Sequence, residues 1–262
     1  MTLDLHDLLA EWDCPPGELS ARTIVGHDGR ELLQLRVDLG LLQMFPDGRP
    51  DGTRFHGLPS AVDYFRHEMR LGRLPDQPDD WRELERELYQ INYRRVALST
   101  LAEECLRRND PEGAKAHIRR ALRDIETCLE GIRLIAQQRG ADYPAGAALR
   151  PSLLFHRGRL RAQLLLLQQR YEEAVEEAEQ AADELARLLA GTEATEDHDA
   201  AVEFLRDLGR RLRRDYNIGA TLRDRLAAAI ESENFEEASR LRDELRRRQR
   251  QNPPLAEPPA SA

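Results

Sequence analysis

Residues 222–248 read LRDRLAAAIESENFEEASRLRDELRRR, and the interpretation of the chain turns on them. Leu222, Leu226, Ala229 and Ile230 recur at helical spacing, as do Phe235, Ala238, Leu241 and Leu245. Glu231-Ser232-Glu233-Asn234 separates the two sets. Asn234 suits a corner or an N-cap, and Glu236 and Glu237 suit the positive first turn of a second helix. Arg246, Arg247 and Arg248 suit its negative last turn for the same dipole reason. The pattern predicts two short amphipathic helices with Phe235 folded over the joint to close the two stripes. So small a hairpin buries little surface alone, so it is expected to pack on a second copy or on a partner.

Working towards the N-terminus, residues 200–214 place Val202, Leu205, Leu208 and Leu212 on one face, ringed by arginines. Asn217 and Gly219 end that helix. The acidic, polar segment 191–199 predicts a linker. From Trp81 to Leu189 the periodicity is helical. A first helix carrying Leu84, Leu88, Ile91, Leu98, Leu101 and Cys105 stops at Asn109-Asp110-Pro111. There Asp110 suits an N-cap and Pro111 the first helical position. The next helix carries Ala114, Ile118, Ala121, Leu122, Ile125 and Leu129. A linker is predicted over 140–146, then a hairpin running 152–169, turning at Arg170 and returning over 171–189.

The β-branched residues cluster early. Thr23-Ile24-Val25, a Gly26–Gly29 turn, and 31–44 with Leu33, Leu35 and Val37 alternating against Gln34, Arg36 and Asp38 predict strand, turn, strand. Residues 46–52 (PDGRPDG) predict an irregular loop, and Ser60 caps a helix reaching about Leu71.

The chain has 262 residues, a formal net charge of −9 and 33% charged residues, a helix-rich composition with mixed signs. A negative total disfavours non-specific nucleic-acid binding, which needs surplus Lys and Arg. Lys115 is the only lysine. The three cysteines, Cys14, Cys105 and Cys128, lie outside metal-ligand spacing and suit a reducing compartment. The opening MTLDLHDLLAEW lacks a basic region before an apolar run, so no signal peptide is expected. The leucine run 164–167 is far too short for a bilayer. The cytoplasm is the expected location, with no membrane partner.

Two resemblances follow from these residues. Leu98, Leu101-Ala102, Cys105, Ala114, Ile118 and Ala121, and then Ala162, Leu165, Tyr171, Ala174, Ala178 and Ala181, resemble tetratricopeptide hairpins, with an ordinary helical bundle as the alternative. Gly158 and Arg161 depart from that pattern, standing where large apolar residues are usual. Ala229-Ile230, Glu233-Asn234-Phe235-Glu236, Ala238-Ser239 and Leu241-Arg242-Asp243-Glu244-Leu245 resemble the UVR motif. This motif occurs in the excision-repair proteins UvrB and UvrC, in ATPases of the ClpC group and in their arginine-kinase activator McsA. Ser239 stands where alanine is usual. The resemblance implies a helical hairpin for protein–protein contact. No phosphate-cradling GKT or GKS loop, nuclease domain or paired zinc cysteines accompany it, so it implies no catalysis. The combination with 32–52 is similar to bacterial UVR-containing proteins.

Other chemistry is sparse. His27 with Asp28 sits in a Gly-rich turn. His56 near Asp51 and Asp63, and His67 beside Glu68, arise readily by chance in so charged a chain. His117 and His156 fall in helices and His198 in the linker. No nucleophile elbow, HExxH or dinucleotide fingerprint occurs. Asp47, Gly48, Arg49, Asp51 and Gly52 form the candidate ligand loop, against the plainer reading of a structural tie onto the helices.

The sequence therefore predicts a mainly α protein of helical hairpins, tetratricopeptide-like or bundle, with a small N-terminal β-hairpin segment and a C-terminal helical hairpin. The divisions are 1–78, an α+β segment or cap; 79–190, helical hairpins; 191–217, linker and helix; 218–250, the UVR-like hairpin; and 251–262, a disordered tail. The expected function is a non-enzymatic adaptor without cofactor or metal. Its protein-binding residues are Leu222, Leu226, Ile230, Phe235, Leu241 and Leu245 as an apolar seam, with Arg242 and Asp243 setting orientation. Self-association through the hairpin is the other form of that contact. Nucleic-acid association in DNA repair is the alternative function.

Overall fold

The computed structural model describes residues 5–10, 12, 14, 15, 17–37, 40–139, 144–190 and 196–251. It divides into two compact units, 1–147 and 148–262. The packing boundary thus falls inside the segment that turn chemistry groups as 79–190. The predicted linkers at 140–143 and 191–195 and the tail from 252 onward lie outside the described residues.

The first unit holds a short helix α1 (His6–Ala10), strands β1 (Ser20–Val25), β2 (Glu31–Val37) and β3 (Gly40–Met44), and helices α2 (Ala61–Arg70), α3 (Pro78–Arg107) and α4 (Pro111–Arg139). The sheet is antiparallel in the order β1-β2-β3, so the predicted second strand is two strands. Leu33 pairs with Thr23 and Met44, and Leu35 with Ala21 and Leu42, on the face that carries the buried Leu33, Leu35 and Met44. β1 and β2 both contact α3. On the opposite face Gln34 is also buried, bridging from Arg22 (2.8 Å) to Gln43 (2.9 Å). That ladder satisfies the amide, which is why a polar residue tolerates burial there.

Ser60 caps α2 as expected, accepting from the Asp63 N–H at 3.0 Å. Phe65 of α2 meets the Trp81 ring edge to face at 4.5 Å. α3 and α4 run antiparallel, with Gly131 so close to Leu88 that a Cβ there would lie 2.5 Å from its methyl.

The second unit holds α5 (Pro144–Leu167) from residue 148, α6 (Tyr171–Leu189), α7 (Glu196–Asp215), α8 (Leu222–Glu231) and α9 (Phe235–Gln251). Two boundaries differ from expectation. Residues 144–146, expected as linker, are helical: α5 begins at Pro144 and runs through Pro151. Residues 196–199 open α7 and are not linker. The α5–α6 contact explains both departures from the tetratricopeptide pattern. A Cβ on Gly158 would lie 2.2 Å from that of Ala181, so only glycine permits this approach. Arg161 meets Glu177 at 3.7 Å across the same interface.

Four helix ends share one corner. Asn109, Gln169, Asn217 and Glu233 adopt φ between 52° and 61°. The following residue donates its N–H five residues back, Asp110 to Cys105, Arg170 to Leu165, Ile218 to Arg213 and Asn234 to Ala229, at 2.8–2.9 Å. This closes the orphan carbonyls of each helix. Left-handed backbone costs a Cβ-bearing residue about 1–2 kcal/mol, least for Asn. Gln169→Gly is therefore expected to stabilise the second unit by roughly 0.5–1 kcal/mol, and Gly158→Ala to destabilise it by about 1–3 kcal/mol. Urea unfolding followed by circular dichroism reads both signs; equal midpoints would contradict the corner and the contact alike.

Candidate functional site

The C-terminal hairpin is built from its caps inward. Thr221, buried, accepts from the Asp224 N–H at 3.2 Å while Asp224 accepts from the Thr221 N–H at 2.8 Å, a reciprocal box at the start of α8. Asn234 accepts from the Glu237 N–H at 3.2 Å and so caps α9. Leu222, Ala229, Ala238 and Leu241 are buried together, with Leu226 and Leu245 packed against them. The hairpin thus has a small core of its own.

The predicted seam divides. Leu222, Leu226, Leu241 and Leu245 face inward, Leu241 being only 1% exposed. Ile230 and Phe235, on either side of the corner, are 56% and 71% exposed. Phe235 therefore does not fold over the joint. Ala229 and Ala238 bring the helices together without it, and their small side chains leave no gap for a ring to close. Ala227 and Ala228 are exposed on the same last turn of α8. The tip of the hairpin thus exposes two large apolar side chains on either side of the polar corner 231–234. Arg242 and Asp243 are exposed on α9, Asp243 lying 3.6 Å from Arg246.

The open end of the hairpin is charged. Leu222 N–H donates to Glu172 at 2.6 Å, Arg223 N–H to Glu176 at 3.3 Å, and Arg248 pairs with Glu176. Arg213 reaches Glu179 and Asp224, each at 2.8 Å. These contacts join residues 11 to 72 positions apart and leave no local sequence signal. Burial raises the Glu176 carboxyl above its ordinary value, against Arg248 and Arg223. Burial pushes the Asp224 carboxyl the same way, but the Thr221 N–H and Arg213 outweigh it and hold it low.

The candidate ligand loop is engaged within the chain. Arg49 is buried and donates to Glu83 at 2.5 Å, its Nε lying 3.3 Å from Asp51. Arg123 donates to Asp47 at 2.6 Å, and Gln90 to Asp51 at 2.9 Å. Arg94 donates to the Gly48 carbonyl at 2.6 Å while holding the buried Asp124 with two bonds of 2.7 and 2.8 Å. Gly48 and Gly52 adopt φ of 67° and 74°, and the Phe45 ring fills the place of any Cβ on Gly52. Asp47, Gly48, Arg49, Asp51 and Gly52 form a tie between the sheet and α3–α4. Removing one partner of such a buried pair costs about 3–5 kcal/mol.

The histidines and cysteines separate. His56 meets Asp80 at 2.9 Å, not Asp51 or Asp63, and packs between Phe55 and Tyr64. Burial lowers His117, and it pushes the Cys128 thiol up to about 12. Among the described residues no three His, Cys, Asp or Glu side chains gather as metal ligands, and no helix is long and apolar enough to cross a membrane.

The site is a capped helical pair with an inner apolar seam and two large apolar side chains exposed beside its corner. Residues 220–251 match the family model described as the UvrB/uvrC motif, so the chain carries a UVR motif. UVR motifs mediate protein or DNA interaction. No curated protein and no solved structure matches the chain.

Because the Asp224 carboxyl is held low in the folded hairpin, it contributes stability above its ordinary value of 3.8 that is lost as pH falls through the folded value. The α8 amides are expected to lose exchange protection as pH falls below 3.8. Asp224→Asn should remove that acid-dependent part, and Thr221→Ala should cost about 1 kcal/mol at neutral pH. An α8 protection profile identical in Asp224→Asn would contradict the cap.

Proposed function

We propose that this protein is a non-catalytic adaptor of the cytoplasm whose C-terminal hairpin docks a protein partner or a second copy through its tip. The helical hairpins α3–α4 and α5–α6 act as the scaffold, in the manner of tetratricopeptide hairpins. One observation carries the reading. The hairpin satisfies its inner seam with Leu222, Ala229, Ala238 and Leu241, and still leaves Ile230 and Phe235 in water. Large apolar side chains beside a capped corner gain most by burial against another chain, about 1.5–3 kcal/mol each. The folded core of the hairpin does not need them, so they are available for contact.

The tip separates docking from folding. Ile230→Asp with Phe235→Asp should abolish capture of the partner from native lysate, with helicity and melting unchanged. Leu241→Asp should melt the hairpin itself. Capture undiminished in the tip variant would overturn the reading.

The second reading is nucleic-acid association in repair. It is favoured by Arg240, Arg242, Arg246 and Arg247, all exposed along α9. Glu237 pairs with Arg240 and Asp243 with Arg246, which weighs against a phosphate surface. Salt-dependent DNA binding by anisotropy at about 50 mM salt, lost in Arg242→Glu with Arg247→Glu, would establish it over the adaptor.

A further inference from the structure

We propose that the hairpin is clasped to α6 by the Glu172 and Glu176 carboxylates and swings away from it as a folded unit, hinging at Gly219-Ala220. The inference rests on reading the hairpin as the docking element, and it concerns the regulation of that element. Three observations carry it.

The apolar clusters are separate. Leu165, Ala174, Val175 and Leu212 form one, with Leu166, Leu208 and Ile218 against it; the hairpin cluster is another. Ile218 belongs to the α5–α7 body, and Leu222 to the hairpin. Gly219 and Ala220 between them are exposed.

The ties that bridge the gap are polar. Glu172 and Glu176 of α6 face the N-terminus of α8, where a carboxylate is favoured by the helix dipole and the orphan N–H groups. They accept from the Leu222 and Arg223 amides. From the far end of the hairpin Arg248 lies 3.4 Å from Glu172 and 3.6 Å from Glu173, and pairs with Glu176. The carboxylates therefore hold both strands of the open end at once. Arg213 straddles the hinge, donating to the Gly219 carbonyl at 2.5 Å and to Asp224 at 2.8 Å.

The centre of the clasp is costly to close. Glu176 is 5% exposed, and its burial outweighs the arginines facing it. A desolvated carboxylate recovers its hydration on opening, so the closed form is held weakly. Opening leaves the inner seam of the hairpin intact, since no buried residue of that seam belongs to α6 or α7.

The test is site-resolved amide exchange on the full chain by NMR, in low salt and in about 1 M NaCl, where the screening length falls to about 3 Å. The Leu222 and Arg223 amides should exchange at least roughly tenfold faster in high salt and in Glu172→Ala/Glu176→Ala, with the amides of 228–230 and 239–245 unchanged. Arg248→Ser should act in the same direction. Unchanged exchange at Leu222 and Arg223 would show that charge does not hold the hairpin. Simultaneous loss across 222–245 would show that the hairpin cannot leave α6 folded. Neither result involves a partner, so both leave the docking reading standing or falling on its own experiment.

Discussion

A residue held at positive φ, followed by an N–H that reaches back five residues, ends α3, α5, α7 and α8. Each such corner reverses or redirects the chain within three to six residues and closes the orphan carbonyls behind it. The corner fixes which faces of adjacent helices meet. Small residues then let them meet closely: Gly131 lies against Leu88 and Gly158 against Ala181, and Ala102, Ala114, Ala162 and Ala174 are fully buried. Lengthening one of these corners would turn each following helix and move its apolar stripe off its partner.

The same device does different work at the C-terminus. In α3–α4 the corner joins helices of 30 and 29 residues, and packing along their length supplies the stability. In α8–α9 it joins helices of 10 and 17 residues, too short to persist without help. Help comes from the reciprocal cap at Thr221 and Asp224, the Asn234 cap and four buried apolar side chains. A module made this way depends on few contacts, and burying Ile230 and Phe235 would add to them substantially.

Much of this was legible in the residues. Asn109-Asp110-Pro111, Ser60 and Glu233-Asn234 announce their caps and corners locally, and the alternation around Leu33 and Leu35 marks a half-buried strand. The match of 220–251 to the UVR motif follows from the same corner and stripes. What escaped depends on distance or on a fine angle. Arg94 finds Asp124 across 30 residues and His56 finds Asp80 across 24, and neither spacing has a periodic signature. Ile230 follows Ala229 by one residue, about 100° round the helix, so a stripe drawn on spacing alone admits both. Only the crossing of α8 and α9 decides that Ala229 goes in and Ile230 stays out. Phe235 opens α9 before its first full turn, and the Asn234 cap aims it outward. The linker expected over 140–146 hid the start of α5, which begins at Pro144 and runs through Pro151.

The central claim is that the exposed tip of the UVR hairpin contacts another polypeptide. Its most direct measurement is photocrosslinking from a benzophenone amino acid placed at position 235 of the full chain in its native cells. The account predicts an ultraviolet-dependent adduct with a second protein chain, absent when the probe sits at the buried position 241. Crosslinks confined to the chain itself, or to nucleic acid, would contradict it.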